Sequence, residues 1–361
     1  MQKSKIFFFT KYSVKGPSSR YRTFNYVPYF EEYFDCKVFT LFDDFYIESL
    51  YSLAKKVTAG YLFKRYLRRV FQIIFQCKRN AVVVVEYELF PYFISVFEYI
   101  LKAKGCKIIL DYDDAIFHNY DSSGNKVVRF LLADKIPSIS RIADHIITGS
   151  PYLTEFFKKY NPAVTEIPTS IDFDKYIHAP EPNVRPGTFS VGWLGSNSTS
   201  KNLIELIPAF QKISAKYDSV LFQFCGISPD VSAQFQNFRF EILEWSPLNE
   251  LELLKRIQVG IMPLEMNPFN NGKCGFKLIQ YMTMGKPTIS TPLAANIKID
   301  HQNGNLFATS NEEWVKVFEY AFENYKSFKE VGKKNQTTVR KDYSIQMNYL
   351  KYIEIFKKIN S

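Results

Sequence analysis

Two runs in the chain, AVVVVE at 81–86 and KIILD at 107–111, are apolar at almost every position rather than at every second one. Successive side chains of a strand point to opposite faces, so an unbroken apolar strand is stable only where both faces of its sheet are covered. That is the setting of parallel sheets flanked by helices. Short β-branched or aromatic runs of this kind alternate with helical patterns along the whole chain. They predict strands at 5–9, 37–40, 82–86, 107–111, 145–148 and 164–167, then at 189–194, 220–225, 239–243, 259–263, 288–290 and 306–308. The class implied is α/β. Between the two series, HAPEPNVRPGT at 178–188 holds three prolines and a glycine with no apolar periodicity, as a linker does. With 361 residues, 46% of them hydrophobic, the chain can fill two cores. We therefore expect a first doubly wound domain at 1–172, a linker at 173–186 and a second doubly wound domain at 187–342. A final helix at 343–361 is expected to return to the first. Two such domains are expected to face each other across a cleft at the carboxyl ends of their strands, where ligands of open α/β sheets bind.

Composition narrows the chemistry. The five cysteines are scattered, odd in number and never spaced Cys-x-x-Cys, which argues against a disulfide framework or a zinc site and for a reducing compartment. The apolar run after the basic start MQKSKIFFF is too short for a signal core or a membrane span. A cytoplasmic protein is expected. The net charge of +10 is concentrated: 49–85 carries eight Lys or Arg and no acid, interleaved with Leu, Phe, Tyr, Ile and Val at helical spacing. Two readings of 50–79 stay open. One is a helix lying on an anionic membrane surface, making the protein peripheral on its inner face; the other is a core-facing helix with a solvated basic side. No nucleic-acid motif accompanies the charge, and nucleic acid is not expected as a partner.

Four loops at predicted strand ends carry candidate chemistry. In KYSVKGPSSRYR, Gly16 and Pro17 make a turn, Ser18 and Ser19 are expected to cap a helix, and Arg20 and Arg22 suit an anion. In DYDDAIFH, Asp111, Asp113 and Asp114 repel one another unless a ligand, a basic side chain or a helix start supplies donors; sugar hydroxyls and a magnesium ion are alternative partners. In VGWLGSNSTSKNL, Gly195 is followed by Ser196, Asn197, Ser198 and Thr199, hydroxyl donors at a helix start that suit phosphate. The spacing is not the three-glycine dinucleotide fingerprint, which speaks against a nicotinamide enzyme. The fourth loop, NGKCGFKLIQYMTMGKP at 271–287, follows an apolar strand and places Gly272, Lys273, Lys277 and Gln280 around a helix start. Unpaired backbone N–H groups and the positive end of the helix dipole favour an anion there. Loops three and four together are expected to hold a diphosphate on one wall of the cleft without a metal.

The segments VGWLGS, VGIMPL and GKCGFKLIQYMTMGKPTIST resemble those of bacterial glycosyltransferases of family 4, the retaining GT-B group. GPSSRYR, VVVVEYELFPYF, DYDDAIF and ITGSPYL extend the resemblance over nearly the whole chain. It implies a GT-B fold and transfer of a sugar, of hexosyltransferase type, from a nucleotide diphosphate sugar to a glycan or lipid-linked acceptor in surface polysaccharide synthesis. Anomeric configuration would be retained, and no cofactor or metal is implied. Carried onto this sequence, the resemblance gives Lys277, Gly195 and Ser196 the diphosphate. It places Gln280 at the ribose-binding second glutamate of the family's acidic pair and Gly272 at the first. Trp193 stands where an arginine is usual, so neutralisation falls on Lys273, Lys277 and Lys201, while Asp113 or Asp114 meets sugar or acceptor hydroxyls. With both acids replaced, two further readings remain: a catalytically silent nucleotide-sugar or glycan-binding assembly partner, and a nucleotide-sugar epimerase of the same architecture.

Overall fold

The computed structural model describes residues 3–51, 56–177 and 187–360, and the chain divides into two compact units. The first comprises Met1–Ser170, Asn271–Cys274 and Ile345–Ser361; the second comprises Ile171–Asn270 and Gly275–Ser344. Each is built on a six-stranded sheet in which every paired strand runs parallel.

In the first unit the strands are β1 (Lys5–Tyr12), β2 (Asp35–Phe42), β3 (Val82–Glu86), β4 (Lys107–Tyr112), β5 (His145–Thr148) and β6 (Val164–Glu166), in the order β2-β1-β3-β4-β5-β6. The unbroken apolar runs serve both faces. Phe7, Phe9, Val83, Val85, Ile108 and Leu110 feed one buried cluster, and Ile6, Phe8, Val82, Val84 and Ile109 feed the other. That second face is covered by the last helix, Ile345–Asn360, through Tyr352, Ile353 and Phe356. The Phe356 ring meets Phe8, Phe30 and Phe34 edge-on.

The second unit has β7 (Phe189–Leu194), β8 (Val220–Cys225), β9 (Phe240–Leu243), β10 (Val259–Met262), β11 (Thr288–Ser290) and β12 (Leu306–Phe307), in the order β12-β11-β10-β7-β8-β9. Trp193, Phe210, Phe222, Ile261 and Trp314 belong to one of its clusters, and Leu194, Leu278, Tyr281 and Met282 to another. In each sheet the chain winds outward from one interior strand and then reverses. The reversal lies between β1 and β3 in the first unit and between β7 and β10 in the second. Loops leaving the carboxyl ends of strands at such a reversal diverge and leave a crevice for ligands.

The linker expected at 173–186 does not begin at 173. Phe173–Ile177 is a short helix whose Phe173 and Tyr176 are buried in a cluster of the second unit, because this aromatic pair has an apolar surface to cover; 178–186 lie outside the described residues. The first unit's main segment ends at Ser170, and Ile171 pairs with Ser344 in the second.

Phe356→Ala removes a fully buried ring from the cover of the first sheet and should cost about 3–5 kcal/mol. Urea denaturation should show the drop; a change below about 1 kcal/mol would mean that the last helix contributes little to that face.

Candidate functional site

At the reversal of the first sheet, Glu86 ends β3 with its side chain buried. Ser19 Oγ donates to its Oε2 at 2.6 Å and Lys11 N at 3.2 Å, while Oε1 is buried with no hydrogen-bond partner among the described residues. Burial pushes the Glu86 carboxyl up to about 8, against the pull of the Ser19 hydrogen bond. Ser19 is thus spent on Glu86 and on Tyr12 N rather than on a helix cap. The capping position of Pro17–Ser19 is taken by Gly16, whose carbonyl accepts from Arg20 N at 2.9 Å. Arg20 lies with its guanidinium 4.8 Å from the Tyr21 ring centre.

The three aspartates at the end of β4 and just beyond it find their partners within the protein. Asp111 Oδ1 accepts from Arg22 Nε at 3.0 Å and Nη2 at 2.5 Å, and Asp111 Oδ2 from the Tyr352 hydroxyl at 3.3 Å. Arg22, expected beside Arg20 as an anion contact, is therefore a buried partner of Asp111, with Nη1 donating to Ile167 O at 2.7 Å. Asp113 accepts a short hydrogen bond from Tyr87, and burial, reinforced by the neighbouring Asp114 charge, pushes its carboxyl up to about 6. Tyr87 holds a left-handed backbone, φ 61°, a strained conformation for a non-glycine residue that places its hydroxyl within 3.1 Å of Ser18 Oγ. Asp114 pairs with Lys273, whose Nζ lies 2.9 Å from Oδ1 and 3.0 Å from Oδ2. Burial works against the Lys273 charge, and the Asp114 carboxylate outweighs it, so the ammonium is held. Among the described residues no group of three or more His, Cys, Asp or Glu could hold a metal ion.

In the fourth loop the boundary between units falls between Cys274 and Gly275. Lys273 belongs to the first unit and Lys277 to the second. Gly272, also in the first unit, is packed so tightly that a Cβ there would lie 2.5 Å from Ala115 Cβ and 2.9 Å from Ala115 N. A glutamate has no room at this position. Gly272 O instead accepts from Ser150 Oγ at 3.1 Å.

In the second unit, the turns after β7 and before the helix Phe276–Thr283 meet. Lys277 Nζ lies 3.3 Å from Thr199 Oγ1 and 5.4 Å above the Trp193 ring. Thr199 Oγ1 also accepts from Ser196 N, and Ser196 Oγ is 3.1 Å from Ser198 Oγ, so three hydroxyls gather at the start of Asn197–Ser200. Gly195 N donates to Cys225 O at 3.0 Å. Gly275 opens the helix Phe276–Thr283 with φ 65°, a left-handed conformation natural to glycine. The carboxylate near Gln280 is supplied from elsewhere. Buried Gln280 donates through Nε2 to Glu250 Oε1 at 2.7 Å, and Tyr176 OH and Trp245 Nε1 also donate to Glu250, at 2.8 Å and 3.2 Å. Reading loops in order missed Glu250 because it lies 30 residues away, inside a helix with an ordinary amphipathic pattern.

Residues 188–324 match the family model described as Glycosyl transferases group 1. All of that stretch except 271–274 lies in the second unit. Solved structures similar to the whole chain include a glycosyltransferase from Rickettsia africae, at 13% identity and TM-score 0.69, covering 99% of both chains. Sucrose-phosphate synthase from Thermosynechococcus elongatus is similar at 11% identity and TM-score 0.73, again over 99% of both. HepE from Anabaena, solved with UDP and glucose, is similar at 12% identity and TM-score 0.69, over 98% of this chain and 99% of that one. No curated protein sequence matches the chain. At these identities the likeness is one of fold, and the fold is GT-B. The matched stretch contains Gly195, Ser196, Ser198, Thr199, Gly272, Lys273, Lys277 and Gln280; of these Gly272 and Lys273 belong to the first unit, as do Gly16, Arg20, Asp113 and Asp114.

A carboxyl raised by folding holds its proton longer in the folded than in the unfolded chain. Between the ordinary value of 4.5 and about 8, the folded state binds more protons and stability falls as pH rises. Glu86→Gln removes this loss. In urea denaturation at pH 5, 6.5 and 8, the variant should gain on the wild type as pH rises; a difference independent of pH would show that Glu86 is ionised in the fold.

Proposed function

We propose that the chain is a retaining glycosyltransferase of family 4 type, moving a sugar from a nucleotide diphosphate sugar to a glycan acceptor, lipid-linked and part of surface polysaccharide synthesis. The observation that carries this reading is the meeting of Lys277 with Thr199 within the group 1 domain. It puts an ammonium and a cluster of hydroxyls at the reversal of the second sheet, where a diphosphate is best received. HepE, solved with UDP-glucose, supports a nucleotide sugar as donor.

In the reaction proposed, the bond between the anomeric carbon and the diphosphate oxygen breaks as the acceptor oxygen bonds to that carbon on the same face. The acceptor proton passes to the departing phosphate oxygen. Charge grows on the leaving diphosphate, so the Lys277 ammonium and the Ser196, Ser198 and Thr199 hydroxyls stabilise the transition state more than the ground state. Asp113 and Asp114, held by Tyr87 and Lys273, are assigned to sugar or acceptor hydroxyls, and Glu250 with Gln280 to the donor's ribose. No metal is assigned a role. Among the described residues no helix is long and apolar enough to cross a membrane; the place proposed for the protein is the inner membrane face, as a peripheral enzyme.

The silent-binder reading is favoured by one observation, the lack of room for a carboxylate at Gly272. The two separate cleanly. With UDP- and GDP-sugars, a transferase releases nucleoside diphosphate, whereas a binder is stabilised in thermal shift without release. Lys277→Ala should lower kcat by about 10²-fold while leaving the melting temperature of the ligand-free protein nearly unchanged. Wild-type turnover in that variant would remove Lys277 from the mechanism.

A further inference from the structure

The basic, aromatic segment of the first unit departs from the reading of a core-facing helix with a solvated basic side. On the helix Ala59–Phe71, Arg65 and Arg69 are 7% and 1% exposed, whereas Phe63, Leu67 and Phe71 are 71%, 58% and 51% exposed. The row continues through the π-helical turn Gln72–Gln76, where Phe75 is 72% exposed. Leu53 of the apolar stripe and Lys55 of the basic one lie outside the described residues.

The helix cannot simply turn to hide these rings. Arg65 donates to Leu41 O at 2.6 Å and pairs with Asp43 at 2.9 Å; Arg69 donates to Thr10 O at 2.7 Å and Phe39 O at 3.2 Å, with its guanidinium 5.1 Å from the Phe9 ring centre. Rotation would break these bonds and leave buried charge and carbonyls unpaired, at a cost larger than burying a few rings returns.

The exposed side is apolar and basic together. Lys64, Arg68, Lys78 and Arg79 are exposed beside the ring row, and 49–85 contains no acidic residue. Next to the helix, Tyr66 OH donates to Pro91 O at 2.8 Å, and the loop it holds exposes Phe93 and Ile94 by 43% and 55%. At the outer edge strand β2 lies an open cavity of about 450 Å³, lined by Lys37, Thr40, Arg68, Phe71, Gln72 and Gln76. Gln72 is 4% exposed, and its Oε1 has no hydrogen-bond partner among the described residues.

We propose that this face of the first unit docks on a bilayer rich in anionic phospholipid, the Phe63–Leu67–Phe71–Phe75 row entering the acyl boundary while Lys64, Arg68 and the Lys37–Gln72 cavity receive headgroup phosphates. A second protein would match the rings, but an anionic lipid surface matches both the apolar row and the exposed Lys64 and Arg68 that flank it on a segment, 49–85, whose own sequence carries no acid. The inference deepens the lipid-linked reading above by naming the surface that meets the lipid phase. Vesicle binding is read without turnover, so its failure and the failure of the transferase reading are distinguishable.

Full-length protein is sedimented with vesicles of phosphatidylcholine alone and with phosphatidylglycerol added. Binding is expected only with phosphatidylglycerol, weakening as salt rises. The surface variants Phe63→Ser/Phe71→Ser/Phe75→Ser and Lys64→Gln/Arg68→Gln should each lower it about tenfold or more, with unchanged circular dichroism and unchanged release of nucleoside diphosphate with a soluble acceptor. Equal binding to both vesicles, no binding to either, or binding unaffected by the two variants would overturn the proposal. So would a dimer in sedimentation velocity that the triple serine variant dissolves, since a second copy would then cover the face.

Discussion

Asp111 stands at the end of β4 in a place almost without water, and much of the first unit is arranged around it. An unpaired carboxylate there would be too costly to keep ionised. Arg22 meets it with two donors and ties its third direction to Ile167 O after β6, while Tyr352 of the last helix reaches the other oxygen. One neutralised charge thereby joins the first loop, the fourth strand, the sixth strand's exit and the final helix. Losing either partner would leave the other buried and unmatched, a heavier penalty than the pair's net worth. Its role is to hold the loops beside it in register.

Those loops matter because all paired strands run parallel. Every strand of a sheet ends at the same edge, so residues far apart in sequence are delivered to one place, most openly where the winding reverses. Glu86, Ser19, Tyr87 and Asp113 meet there in the first unit, and Lys277, Thr199, Ser196 and Trp193 in the second. Burial raises the carboxyls of both Glu86 and Asp113. In the second unit the only carboxylate reaching Gln280 among the described residues comes from Glu250, a helix neighbour in space rather than in sequence.

The helix Ala59–Phe71 shows how an amphipathic pattern can be read backwards. Its periodicity separates two faces clearly but carries no sign. Hydrophobicity alone would turn the rings inward. Yet carbonyls near the ends of β1 and β2 need donors, and Arg65 and Arg69 reach them through long stems that pack against aromatic surface. Satisfying buried carbonyls outweighed hiding the rings.

The local pattern of the chain by itself determined the α/β class, the twelve strands and the loops that carry hydroxyls, acids and lysines, because strand burial and helical periodicity are written in neighbouring residues. The aromatic run at 173–177, read as linker, folded as helix once the second unit offered it an apolar wall. Tertiary structure alone decided the partners: Ser19 goes to Glu86 rather than to a cap, Arg22 to Asp111, and Lys273 to Asp114. It also decided that Gly272 is closed to any side chain by Ala115. A charge or a close approach depends on which atoms share a few ångströms of space, and nothing in the spacing of a sequence states that distance.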